Sequence, residues 1–112
     1  MQRHFLCHQQ DILEVQPRGF EFTTEQASLS LFIVRYENKL YAYQNRCPHL
    51  NIPLNWQPDA FLSLEQTHIQ CSTHGALFNL NNGHCISGPC SGEKLTSLPI
   101  ELSGDGKIWI QS

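Results

Sequence analysis

The 112-residue sequence contains no long apolar run, and no twin-arginine pair marks its start. Neither a membrane-spanning helix nor a secretory signal is expected, which makes the cytoplasm the default compartment. A basic excess is also missing, because seven Lys and Arg stand against ten Asp and Glu for a formal charge of -3. That balance excludes the broad positive face of a nucleic-acid binder and points to protein partners. No segment holds a helical period, repeats itself or forms a low-complexity linker. One domain spanning residues 1–112 is expected, with no room for a separate catalytic domain. The five cysteines are odd in number. Without a secretory signal they argue against a disulfide framework and direct attention to metal or redox chemistry.

What the chain does have is β-strand pattern, and an all-β fold is expected. Residues 28–36 (SLSLFIVRY) are rich in β-branched and aromatic side chains, and Glu37-Asn38-Lys39 offers a turn into a partner strand at 40–43. A second hairpin is expected from 67–71 and 76–80, with a tight loop between them, followed by a turn at Asn81-Asn82-Gly83. A third joins 98–102 to 107–111 across Ser103-Gly104-Asp105-Gly106. Residues 51–59 (NIPLNWQPD) hold two prolines and no alternation, which reads as an irregular loop. The first quarter of the chain is nondescript.

Two short motifs carry the chemistry. Cys47-Pro48-His49 and Cys71-Ser72-Thr73-His74 put two thiols and two imidazoles at the ends of expected strands, with 21 residues between the motifs. A single Cys is often just a small buried apolar residue, and a single His is more often structural than a ligand. Two mixed Cys-His pairs in two loops make a four-ligand metal site the better reading. Tetrahedral zinc accepts the same donors, although zinc sites usually pair Cys with Cys and His with His. A plant-type four-cysteine cluster fails, because Glu93 stands where a Cys would have to follow Cys85 and Cys90. Cys7, Cys85 and Cys90 are read as reduced, small apolar residues, and His4, His8, His68 and His84 as surface or structural.

The two motifs, the approach FIVRYENKLYAYQNRCPH (32–49) and the exit His74-Gly75-Ala76-Leu77-Phe78 through Asn82-Gly83 resemble the paired loops of Rieske ferredoxins. The resemblance runs from about residue 28 onward. It implies antiparallel sheets in a small sandwich or barrel, with a cluster-binding subdomain built from two loops at about 45–56 and 70–90. It also implies one 2Fe-2S cluster per chain, with Cys47 and Cys71 on one iron and His49 and His74 on the other. Gly88-Pro89, with Ile86, resembles the segment that covers the cluster in these proteins. The apolar neighbours Leu50, Pro53, Leu54 and Pro89 are expected to rim the tip at which partners meet the imidazoles.

The respiratory branch of this family has an extra cysteine in each loop, where this chain has Ile52 and Thr73. That branch also places a Ser and a Tyr two and four residues after the second His, where Ala76 and Phe78 stand here. A low-potential, ferredoxin-like carrier is therefore implied, taking electrons from a reductase, flavin-type by resemblance, and passing them to a terminal oxygenase or other oxidoreductase. It would not be an enzyme by itself. The small subunit of assimilatory nitrite reductase shares the fold and length, and a subunit role is the alternative.

Overall fold

A computed structural model describes residues 3–23, 28–48, 54–55, 59, 61–63, 65–71, 75–88 and 92–111. Its strands are β1 (Arg3–His8), β2 (Arg18–Thr23), β3 (Ser28–Tyr36), β4 (Lys39–Gln44), β5 (Ile69–Gln70), β6 (Leu77–Phe78), β7 (Cys85–Ser87), β8 (Ile100–Leu102) and β9 (Lys107–Gln111). Among the described residues the one helical element is a 3-10 turn at Gln9–Asp11. Three antiparallel sheets result, in the orders β1-β9-β8, β2-β3-β4 and β5-β6-β7.

The middle sheet is buried on both faces, and β3 shows why its sequence reads as a continuous apolar run. Successive side chains of a strand point to opposite faces. Leu31 and Ile33 join Cys7, Ile12, Ala42, Ile108 and Ile110 in the core shared with the β1-β9-β8 sheet. Phe32 and Val34 face the other way, into a core with Tyr43, Phe61, Ile69, Phe78 and Leu95. A strand covered on both sides has no solvent face on which to place polar residues. In the second core Phe32 stacks on Phe61 with ring centroids 4.4 Å apart and an interplanar angle of 16°.

The β3–β4 connection is a two-residue turn, Tyr36 pairing with Lys39 while Glu37 (φ 52°) and Asn38 (φ 64°) take left-handed backbone. This conformation matches the twist of the strands but strains residues with a Cβ. The Glu14 carboxylate offsets that strain by accepting from the Glu37 N–H at 2.7 Å and the Asn38 N–H at 3.3 Å. Arg35 fastens the same segment, its guanidinium donating to the carbonyls of Ile12 (2.7 Å) and Gln9 (2.8 Å).

All three expected hairpins are present; both strands of the second and the first strand of the third are shorter than their sequences suggest. Of the loop expected at 51–59, Leu54, Asn55 and Asp59 are irregular as read, and the other positions lie outside the described residues. No helix among the described residues is long and apolar enough to cross a membrane.

Tyr43 ties the middle sheet to the β5-β6-β7 sheet, its hydroxyl donating to the Leu80 carbonyl at 2.9 Å. Burial, helped by Tyr41, pushes its phenol pKa up to about 12. A raised acid pKa means the folded state favours the neutral phenol, so this contribution to stability is whole below pH 10 and is lost as pH rises through about 12. Tyr43→Phe leaves the Leu80 carbonyl without this donor, and the expected cost at neutral pH is about 1 kcal/mol in urea unfolding. An unchanged urea midpoint would remove the hydroxyl from the account.

Candidate metal centre

Two loops, one after β4 and one after β5, each contribute residues to the second core. The first follows β4. Gln44 is held to the chain's later part by its N–H donating to the Thr96 carbonyl at 2.9 Å, and the Asn45 N–H donates to the Ser30 carbonyl at 2.9 Å. Cys47 follows, completely buried. The loop returns at Leu54, whose N–H donates to Asn45 Oδ1 at 2.8 Å, while Asn45 Nδ2 donates to Asn55 Oδ1 at 2.8 Å.

The second loop follows β5 and closes with its own backbone. The Cys71 N–H donates to the Ala76 carbonyl at 2.9 Å, and the Gly75 N–H donates to the Cys71 carbonyl at 2.8 Å. Cys71, like Cys47, has no exposed surface, and both lie in the same apolar cluster with Leu54, Ala76 and Phe78. Both are outside any disulfide. His49 and His74 lie outside the described residues, so the described part of the site consists of the two thiols and their supports.

A third segment comes close to the second loop where β7 ends. Gly88 has φ +101°, and a Cβ built there would stand 2.7 Å from the Ala76 Cα. Only a glycine fits both the left-handed backbone and that approach. Gly83 plays a similar part at the turn after β6, with φ +72° and a would-be Cβ 2.9 Å from Tyr43 Cε1. Pro89 and Cys90 lie outside the described residues.

The remaining candidates behave as small structural groups. Cys7 is buried in the other core, and burial, with the Asp11 carboxylate adding to it, pushes its thiol pKa up. That keeps it protonated and unreactive. Cys85 is buried in the same core cluster as the two loop cysteines, but its thiol donates to the Ser87 carbonyl at 3.3 Å. His8 and His84 are exposed, and His4 and His68 are half-buried, with His68 Nδ1 hydrogen-bonded to the Thr67 hydroxyl at 2.9 Å.

One expectation fails. Leu54 is not part of an exposed apolar rim; it is fully buried in the core, and Asn45 Oδ1 accepts from its N–H. An apolar side chain at the foot of a loop gains more by entering the adjacent core than by facing water. Leu50, Pro53 and Pro89 lie outside the described residues. Asn45 was not singled out from the sequence. Its signal was there, since Asn directly after a strand is a residue that hydrogen-bonds nearby backbone and starts turns.

Among solved structures, the fold is similar to that of a ferredoxin from Sphingomonas yanoikuyae B1, with 22% identity, TM-score 0.71 and 99% of each chain covered. It is also similar to a chain in a fluorene-bound oxygenase and ferredoxin complex of carbazole 1,9a-dioxygenase, at 20% identity and TM-score 0.74, covering 96% of this chain and 28% of that one. The terminal oxygenase of carbazole 1,9a-dioxygenase from Novosphingobium sp. KA1 gives 17% identity and TM-score 0.73, covering 96% and 29%. The chain thus spans little more than a quarter of the oxygenase-system chains it matches. No curated protein sequence matches it.

The donor set suits the cofactor of one family: two thiols buried together, with an imidazole two or three residues after each in the sequence. Residues 2–100 match that family, the Rieske [2Fe-2S] domain. The chain belongs to the Rieske [2Fe-2S] domain family, and its cofactor is a Rieske-type 2Fe-2S cluster.

Proposed function

We infer that this protein is a one-electron carrier, with Cys47 and Cys71 ligating one iron and His49 and His74 the other. The observation that supports this reading best is the burial of the two loop thiols in one apolar cluster, within a family match over residues 2–100. When bound, the cluster supplies a one-electron couple whose potential lies above that of all-thiolate clusters, because neutral imidazoles replace two anionic ligands.

The chain's own residues supply three things. Cys47 and Cys71, both without exposed surface, offer thiolate sulfur shielded from water, which would limit hydrolytic loss of iron. Ala76 and Phe78, both fully buried, bring no hydroxyl to the site, so no side-chain donor from either position favours the reduced state. Gly88 lets the third segment lie directly on the second loop.

The partners in this reading are a flavin-type reductase and a terminal oxygenase or similar oxidoreductase, all cytoplasmic, with the chain acting as one domain without catalysis of its own. The Sphingomonas ferredoxin, alike over 99% of both chains, supports the carrier role. Carriers need contacts that form and separate quickly, and an interface below roughly 1,200 Å² suits them. Leu50, next to His49 in sequence, and Ile86, half-exposed on β7 and two residues before Gly88, are the apolar candidates for that contact.

Reductase-driven electron delivery to an oxygenase tests the reading. Leu50→Glu and Ile86→Glu are each expected to slow transfer by about ten-fold, the equivalent of 1.4 kcal/mol of lost docking, with spectrum and midpoint unchanged. Equal rates for wild type and both variants would place the docking surface elsewhere.

A further inference from the structure

The two cluster-binding loops are closed by different means, and the difference gives Asn45 a role that the ligand assignment alone does not contain. The second loop is closed by main chain, with Cys71 and Gly75 donating to Ala76 and Cys71 carbonyls. Neither bond uses a side chain. At the foot of the first loop, residues 46–53, a side chain spans the gap instead. Asn45 Oδ1 accepts from the Leu54 N–H at 2.8 Å, and Asn45 Nδ2 donates to Asn55 Oδ1 at 2.8 Å and to Ser30 Oγ at 3.3 Å.

These partners lie on β3 and on the far side of the loop, at separations of 9, 10 and 15 residues. An Asn serving only its own turn bonds backbone two or three residues away. Here one planar amide, half-buried, fixes the loop's entry and exit to each other and to the middle sheet. Leu54, positioned by that amide, then enters the core cluster that includes Cys47.

Resting on the ligand reading above, we propose that Asn45 is a positioning residue that holds the first loop in its iron-binding shape, so that Cys47 and His49 stay arranged for the cluster. It touches neither iron nor sulfur. Its effect is on the spread of loop conformations, and therefore on how long the cluster is kept and how uniform its ligand geometry is.

Three variants separate this role from general destabilisation. Asn45→Ala removes the whole clamp, and Asn45→Leu keeps its volume without its hydrogen bonds. Asn45→Asp keeps the acceptor for the Leu54 N–H, and its second oxygen can accept from the Ser30 hydroxyl or the Asn55 amide. Cluster loss is followed as bleaching of visible absorption in excess ferrous chelator, with the EPR linewidth of the reduced protein recorded alongside. Exchange of the Leu54 amide proton is measured in the cluster-loaded protein by mass spectrometry. Asn45→Ala and Asn45→Leu are expected to lose the cluster about ten-fold faster, with broadened EPR features and Leu54 exchange faster by a similar factor. Asn45→Asp is expected to remain within about two-fold of wild type on all three. A cluster retained at the wild-type rate with wild-type linewidth in both Asn45→Ala and Asn45→Leu would overturn the clamp and leave the ligand reading intact. Equal losses in Asn45→Asp and Asn45→Ala would also overturn it. A wild-type protein that never takes up a cluster would overturn the ligand reading, and the clamp's role with it.

Discussion

Cys47→Ala and Cys71→Ala are each expected to reduce the iron content from about two atoms per chain to near zero. Both thiols belong to one iron in the proposed arrangement, so either change leaves that iron a single protein ligand, and a bridged two-iron unit does not survive the loss of one end. The protein itself is expected to remain folded. Cys and Ala differ by one sulfur atom, and the void each substitution leaves costs on the order of 1 kcal/mol. Circular dichroism on the colourless variants checks this. Cys85→Ala is the informative control, because Cys85 is buried in the same cluster but donates its thiol hydrogen to Ser87. It is expected to keep full iron. Loss of iron from Cys85→Ala with retention in Cys71→Ala would reverse the ligand assignment.

The wild-type midpoint is expected near the bottom of the Rieske range, roughly -150 mV rather than +300 mV. A reduced cluster would carry more negative charge on its sulfurs, so a hydroxyl donor beside it would favour the reduced state. Ala76 and Phe78 are fully buried and supply none. The Phe78 side chain is positioned by pairing of its strand with Ile69 on one side and Cys85 on the other, in the core that holds both loop thiols. Ala76→Ser with Phe78→Tyr is therefore expected to raise the midpoint. A hydrogen bond worth about 1 kcal/mol more in the reduced state is roughly 40 mV for one electron, so the double variant should gain on the order of 80 mV. Protein-film voltammetry reads both numbers. A wild-type midpoint well above zero would refute the role given to these two positions.

How much of this was legible in the sequence depended on how local each signal was. The β3–β4 hairpin was readable because its apolar run and its turn lie within twenty residues, and the turn's two left-handed residues follow directly from the pairing. The second loop was readable from Cys71 to Gly75 for the same reason. β1 was not, because its partner is β9 at the other end of the chain, and RHFLCH carries little alternation to mark it as a strand. β2 was diluted by Gly19 and Glu21, and its pairing with β3 rests on tertiary cover. Leu54 was misplaced on the rim because an apolar residue in an aperiodic loop gives no sign of which way it faces. Its direction is set by Asn45, nine residues earlier, through a side-chain bond that no pattern of hydrophobicity encodes. The four ligand candidates, by contrast, were identified by residue type and spacing, which is where metal chemistry is most restrictive.

The most direct test of the central claim is the low-temperature EPR spectrum of the purified protein before and after dithionite, taken with iron and acid-labile sulfide analysis on the same sample. The account predicts a red-brown protein with about two irons and two sulfides per chain, silent when oxidised and showing a rhombic Rieske signal when reduced. A colourless protein holding one zinc per chain, with no signal in either state, would contradict it.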